Sequence, residues 1–241
     1  GFGDTGLAEG HAMSPSALSA WEWIVQEARA NPGELTIVAI GPLTNLALAL
    51  QHEPDIAKLV REIVIMGGAM GTKGRRGNIT PFAEANFYYD PAAADAVLAA
   101  EWPVTMIGLD VTSDCILPAA NANAMPEEMG EAGVFLRQIS RGYEAIYREF
   151  DALDGFVIHD VAAAICALHP EMFDFQSAAI AVACDGDERG QSRSASISQR
   201  TGQRFGRSVD ASRLMQHFHD TMRAWSTMAD CPVPGLQRQG K

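Results

Sequence analysis

Four short apolar runs, two of them closed by chain breakers, constrain this 241-residue chain more than any other feature. They are Leu35–Ile40, ended by Gly41-Pro42; Ile63–Met66, ended by Gly67-Gly68; Val104–Leu109; and Ala179–Cys184. Each is too short for a helix, and most are rich in β-branched residues, so they read as strands. They are apolar throughout rather than alternating, which indicates a sheet covered on both faces, the habit of parallel sheets. Helical spacing fills the intervals. Ser16–Ala30 carries Leu18, Trp21, Ile24 and Val25 on one face, and Val134–Phe150 carries Ile139, Tyr143, Ile146 and Tyr147. Thr44–Val60 accommodates one bent helix or two short ones, with Pro54 at a second start. Asp90-Pro91 is a helix opening, a capping carboxylate followed by proline at the first helical position. Ser212–Met228 closes the chain as a helix. Strand and helix in alternation predict an α/β fold with a mainly parallel sheet flanked by helices, in a single domain. The polar, Arg- and Ser-rich stretch from Cys184 to Gly206 is compatible with a hairpin or a loop.

Composition narrows the function classes. A net charge of −12 disfavours a nucleic-acid backbone or an anionic membrane as partner. No stretch reaches the roughly 18 uninterrupted apolar residues of a membrane helix. The four cysteines, Cys115, Cys166, Cys184 and Cys231, form no C-x-x-C pair and read as small hydrophobes of a reduced, cytoplasmic protein.

In a parallel α/β sheet the ligand sits beyond the carboxyl ends of the strands, which directs attention to the residues after Ile40, Met66 and Leu109. After Met66 runs the glycine-rich stretch Gly67–Asn78. It could cradle a phosphate through backbone amides, but it meets neither G-x-G-x-x-G nor G-x-x-x-x-G-K-[ST], and a surface loop is the plainer reading. Asn78, Thr80, Glu84 and Asn86 follow; such side chains suit the hydroxyls of a sugar, or ordinary loop polarity. His159-Asp160 sits between apolar Phe156–Ile158 and apolar Val161–Cys166. Asp160 there is either a helix cap or a metal ligand, and His159 a candidate acid. His217 and His219, two apart on a helix, face different ways and are expected at the surface. No H-E-x-x-H or G-x-S-x-G motif is present.

Taken together, several stretches resemble the inosine–uridine-preferring nucleoside hydrolase family. They are Ile37–Asn45 (IVAIGPLTN), Glu62–Gly68 (EIVIMGG), Gly77–Pro81 with Ala83–Asn86, Asp90–Ala94, Pro103–Thr112 (PVTMIGLDVT) and Val157–Asp160 (VIHD). The resemblance implies a Rossmann-like nucleoside hydrolase fold and hydrolysis of the N-ribosidic bond of purine or pyrimidine ribonucleosides, in nucleoside catabolism or salvage. It implies a calcium ion that binds ribose hydroxyls and the attacking water. On this reading Asp160 is a calcium ligand that also reaches the ribose, and the backbone carbonyl of Ile40 is a second ligand. Asn78, Glu84 and Asn86 bind ribose, Met66 packs beside it, His159 protonates the leaving base, and Tyr143 and Tyr147 lie near the base, unless their stripe is plain core. A homodimer or homotetramer is the implied assembly.

The sequence also departs from the family pattern. The Asp-rich motif of the family's first strand, roughly D-x-D-x-x-x-D-D, is absent. Gly1–Leu7 resembles a later His-Gly-x-x-Gly-Leu segment, with Phe2 in place of histidine, and Ala85 stands where an aromatic residue is common. The expectation is a nucleoside hydrolase-like domain over 1–241, truncated at its N-terminus or naturally degenerate, that binds calcium poorly and turns over little. The alternatives are an inactive nucleoside- or ribose-binding protein and a Rossmann-like enzyme that uses the glycine loop for phosphate.

Overall fold

A computed structural model describes residues 16–195, 200 and 203–227. In chain order the elements are α1 (Ala20–Ala30), β1 (Thr36–Ala39), α2 (Thr44–His52), α3 (Ile56–Leu59), β2 (Glu62–Met66), α4 (Ala85–Tyr89), α5 (Pro91–Ala99), β3 (Val104–Ile107) and α6 (Leu109–Thr112). There follow β4 (Ile116–Pro118), α7 (Ala119–Phe150), β5 (Gly155–Val157), α8 (His159–Leu168), β6 (Phe173–Ser177), β7 (Ile180–Val182), β8 (Ser192–Ser194), β9 (Gln203–Val209) and α9 (Ala211–Thr227). The chain divides into two compact units. A sheet unit holds residues 16–114 and 159–210, and a helical unit holds, among the described residues, 115–158 and 211–227.

The sheet unit is built on a five-stranded sheet in the order β1-β2-β3-β9-β6. β1 to β3 and β9 run parallel, in a register that aligns Ile37 with Ile63, Ile63 with Val104 and Met106 with Phe205; β6 returns antiparallel to β9. α8 packs against β1, β2 and β3, while Phe87, Val97, Leu98 and Trp102 are fully buried in the main hydrophobic cluster. The mainly parallel, helix-flanked sheet is therefore as the apolar runs require. The ambiguous 44–60 stretch is two helices, α2 and α3. Asp90 caps α5, accepting from Ala93 N at 3.1 Å, with Pro91 at its first position. α1 starts four residues later than the periodicity suggests, at Ala20, because Ser19 N donates to Glu22 Oε2 at 2.8 Å and fixes the first turn there.

The fourth apolar run is not a strand of the main sheet. β7 pairs antiparallel with β8 in a separate hairpin. Side chains take its remaining backbone groups: Ile180 N donates to Gln203 Oε1 at 2.6 Å, Val182 N to Asp95 Oδ1 at 2.8 Å, and Arg200 Nη1 to the carbonyl of Ile180 at 2.7 Å. The fourth parallel strand is β9, which begins inside the stretch whose structure the sequence left open and runs three residues past it. Its Arg204 satisfies itself at the sheet with Thr105 Oγ1 (2.8 Å), Glu62 Oε1 (3.1 Å) and the ring of Phe175 (4.2 Å to the centroid).

In the helical unit β4 and β5 pair antiparallel, Ile116 opposite Val157. α7 is longer than expected: it begins at Ala119, passes Pro126, and kinks at Gly130 (φ 57°, ψ −134°). A Cβ on Gly133 would lie 1.9 Å from the carbonyl oxygen of Met125, so the turns around the kink touch backbone to backbone. The apolar stripe on α7 is not a core stripe: Tyr143 and Ile146 are 51% and 54% exposed, and the buried residue among them is Glu144, held by Arg137 (2.9 Å) and Arg148 (2.8 Å). His219 is likewise not a surface residue. It is half-buried, 3.7 Å from Glu128, which Arg223 also binds at 2.9 Å. His217 is half-buried too. Cys115 and Cys166 are buried, with burial pushing the Cys166 thiol up to about 12, whereas Cys184 is exposed rather than a core residue. Cys231 and the Gly1–Leu7 segment lie outside the described residues. No helix among the described residues is long and apolar enough to cross a membrane.

Candidate active site

The carboxyl ends of the parallel strands gather most of the residues singled out from the sequence. β2 ends at Met66, and Gly67-Gly68 follows. Gly67 N donates to Ile107 O (3.3 Å) and Leu109 N to Gly68 O (2.9 Å), so the loop after β2 lies directly on the end of β3. Only glycine fits there. Gly68 has φ +69°, and a Cβ on it would meet Phe87 Cε2 at 2.7 Å and Ser192 Oγ at 2.9 Å; a Cβ on Gly108 would meet Gly68 O at 2.6 Å.

Glu84 caps α4 and reaches across to that loop. Its Oε1 accepts from Asn86 N (2.9 Å), and its Oε2 accepts from Gly68 N (2.9 Å) and Phe87 N (3.3 Å). It is 2% exposed. Burial holds its carboxyl above the ordinary carboxylate range, the nearby charge of Asp160 adds to the rise, and the three amides oppose it. Asn86 Nδ2 donates to the carbonyl of Met66 at 3.0 Å and lies 3.4 Å from its Sδ. Asn78 is exposed, and its Oδ1 accepts from Ala85 N at 3.0 Å. Met66 is 2% exposed and Ile40 50%. At this edge Ile40 and Asn78 are exposed and Asn86 is half-buried, while the buried Glu84 and Met66 hold Asn86 by its backbone amide and its side-chain amide.

His159-Asp160 opens α8. Asp160 keeps solvent-exposed surface, yet the protein around its carboxyl displaces enough water to raise its pKa. The His159 ring is held by Thr112, Nδ1 to Oγ1 at 2.7 Å. The structure thus brings together Met66, Glu84, Asn86 and Asp160, with His159 beside the end of β3. Tyr143 and Tyr147 stand on α7 in the helical unit, the first exposed and the second half-buried.

Asp110, Thr112 and Ser192 were not anticipated. Asp110, 2% exposed on α6, accepts from Met70 N (2.6 Å), Thr72 N (2.6 Å) and Thr72 Oγ1 (2.8 Å). Ser192 Oγ accepts from Ala69 N and donates to Ala69 O, both at 2.8 Å. Lys73 pairs with Asp114. One signal was available: Asp110 is a charge inside the otherwise apolar run Val104–Val111, and a buried charge always has a task. These contacts also weigh against a phosphate cradle. The amides of Gly68, Ala69, Met70 and Thr72 are already bonded, three of them to carboxylates that would repel an anion.

Calcium takes about 6–8 oxygen ligands. Asp160 and the Ile40 carbonyl would supply two, and no group of three or more His, Cys, Asp or Glu residues that could hold a metal occurs among the described residues. The described residues alone do not fit a calcium site.

The sequence profile described as inosine-uridine preferring nucleoside hydrolase matches residues 1–216. The chain is 35% identical over 176 residues to the "Probable uridine nucleosidase 2" of Arabidopsis thaliana, covering 73% of this chain and 54% of that protein. It is 36% identical over 193 residues to the "Non-specific ribonucleoside hydrolase RihC" of Salmonella typhi, covering 80% and 60%. Its fold superposes with a TM-score of 0.85 on the "Purine-Preferring Ribonucleoside Hydrolase from Gardnerella vaginalis", at 29% identity over 95% of this chain and 74% of that one. The chain spans about half the length of the plant relatives it matches. With the profile covering all but the last 25 residues and a matching fold beneath it, the chain belongs to the inosine-uridine preferring nucleoside hydrolase family.

Proposed function

We propose that this protein hydrolyses the N-ribosidic bond of ribonucleosides, giving ribose and the free base. The observation that carries the reading is the meeting, at the carboxyl edge of one parallel sheet, of neutral amides suited to a vicinal diol with the His159-Asp160 pair. A neutral amide can donate to one hydroxyl and accept from the next, which fits the 2′- and 3′-hydroxyls of ribose. Asn78 and Asn86 offer such amides, with Asp160 as a charged acceptor. Glu84 anchors this surface from within, and His159 is proposed to meet the departing base. A role for Tyr143 and Tyr147 toward the base rests on the family resemblance alone.

Calcium belongs to the proposal only as a test, since the oxygens present among the described residues are too few for it. On those oxygens alone, calcium binding is weak and turnover low. The relatives' names span uridine, non-specific and purine-preferring enzymes, so the ribose end carries the commitment and the base class does not. A homodimer or homotetramer rests on the family resemblance, and a cytoplasmic location on the absence of a C-x-x-C pair among the four cysteines.

Ribose release from inosine, uridine, adenosine and cytidine, with calcium and with chelator, tests the reading. Release that Asp160→Asn lowers by about 10²-fold or more, without a change in melting temperature, supports it. A second reading, an inactive nucleoside-binding protein, is favoured by the incomplete metal set. It predicts calorimetric binding of inosine or ribose with no release in any condition.

A further inference from the structure

We infer that Thr112 is the positioning residue for His159: it holds the imidazole with a hydrogen on Nε2, the ring nitrogen that Thr112 does not touch. Thr112 lies on α6, just past the end of β3, and is 0% exposed. Its Oγ1 is 2.7 Å from His159 Nδ1. A hydroxyl buried from water must spend its hydrogen on some acceptor or lose the hydration it gave up. Among the described residues, Nδ1 is the partner this hydroxyl has. The Oγ1–H therefore donates to Nδ1, Nδ1 carries the lone pair, and the ring hydrogen of the neutral imidazole sits on Nε2.

This matters for the reaction because the two tautomers are chemically opposite at Nε2. With the hydrogen there, the ring donates a hydrogen bond to a base nitrogen as charge develops on it; with the lone pair there, it repels the same charge. In the step itself the C1′–N bond breaks and its electron pair leaves on the base nitrogen. Water gives its hydroxyl to C1′, and its proton passes through solvent to the base. His159 is neither consumed nor changed in charge. Thr112 never touches the substrate and acts through the ring. The hydroxyl comes from a one-turn helix whose Asp110 also pins the glycine loop, so one short element sets both the loop and the ring.

The inference rests on the nucleoside hydrolase reading for its catalytic half and on geometry alone for its tautomer half, and two measurements separate them. Long-range ¹H–¹⁵N correlation on the 241-residue chain, with wild type, Thr112→Val and Thr112→Ser, reads the His159 tautomer without any turnover. Nε2–H in wild type, a mixed or inverted pattern in the valine variant and recovery in the serine variant support the assignment. Nδ1–H in wild type, or an unchanged pattern in Thr112→Val, overturns it. Turnover then reads the role. Thr112→Val should lower kcat on inosine by about 10- to 100-fold with KM nearly unchanged, a part of what a removed transition-state donor costs. Thr112→Ser should restore it. With 4-nitrophenyl riboside, whose leaving group needs no such donor, all three proteins should agree within about twofold, because the missing hydrogen bond has nothing to stabilise. Equal losses on both substrates make Thr112 a merely structural residue and overturn the role. The expected tautomer pattern with no ribose release by wild type refutes the hydrolase reading and, with it, the catalytic half.

Discussion

Replacing Asp110 should loosen the glycine loop far more than its distance in sequence from that loop suggests. The carboxylate accepts three hydrogen bonds, from Met70 N, Thr72 N and Thr72 Oγ1, at 2.6, 2.6 and 2.8 Å. Hydrogen bonds to charged groups contribute about 1.5–3 kcal/mol each, giving a ceiling of about 4.5–9 kcal/mol for the three. Thr72 is exposed and Met70 half-buried, so water can replace at least the two bonds to Thr72 when the carboxylate is removed. The expected loss for Asp110→Ala is therefore about 2–4 kcal/mol, dominated by the Met70 amide and by the space left around a residue that was 2% exposed. Asp110→Asn keeps the shape and one acceptor oxygen but turns an amide group toward donors, for a loss of about 1–3 kcal/mol. Urea unfolding gives the stability change, and hydrogen exchange at Met70 and Thr72 shows whether it is local. If both variants stay within about 0.5 kcal/mol of wild type and exchange at these two amides is unaltered, the clamp described here does not exist.

Two further outcomes follow from the same neighbourhood. Gly68→Ala should cost about 2–4 kcal/mol, combining a positive φ of 69° with a Cβ 2.7 Å from Phe87, while Gly74→Ala, at φ +88° with nothing within 4 Å, should cost only about 1 kcal/mol; equal melting temperatures for the two would contradict the packing argument. Glu84 gives a pH signature. Its folded pKa is raised, so the folded protein binds the extra proton, and stability falls as pH climbs from the unfolded value near about 4.3 toward the folded one, then levels. Glu84→Gln should remove that decline, and denaturation midpoints from pH 4 to 8 that fall in parallel for both proteins would refute it.

β1, β2 and β3 were legible because each is an unbroken apolar run stopped by glycine or proline, a pattern that burial on both faces demands. The helix start at Asp90-Pro91 was legible for an equally local reason, a capping carboxylate ahead of a residue without an amide hydrogen. β9 was not. Its Gln203 and Arg204 make it look like surface, and their partners, Ile180 in one case and Glu62, Thr105 and Phe175 in the other, are far away in sequence. β7 misled in the opposite sense, since an apolar run says that a segment is buried but not which strand it pairs with. In the candidate site, Glu84, Asn86 and Asp160 could be found because polar groups beside strand ends invite inspection. Thr112 and Ser192 could not, because they act on a ring 47 and a backbone 123 positions away, and Asp110 stood out only as a charge in an apolar run, with no trace of its partner 38 positions away.

The order β1-β2-β3-β9-β6 also governs how the chain can fold. The strand that belongs beside β3 is made about 100 residues after it, and at about 5–20 residues per second the ribosome takes about 5–20 s to deliver it. Until then β3, buried on every residue in the finished sheet, presents an apolar edge with unpaired amides and carbonyls. Such an edge recruits other strands. Non-local pairing of this kind is also slow to form once the partner exists, because the loop between must close first. The arrival of Gln203–Val209 is thus the step at which the nascent sheet is most exposed to misassembly, and the point in synthesis at which a chaperone would protect it best.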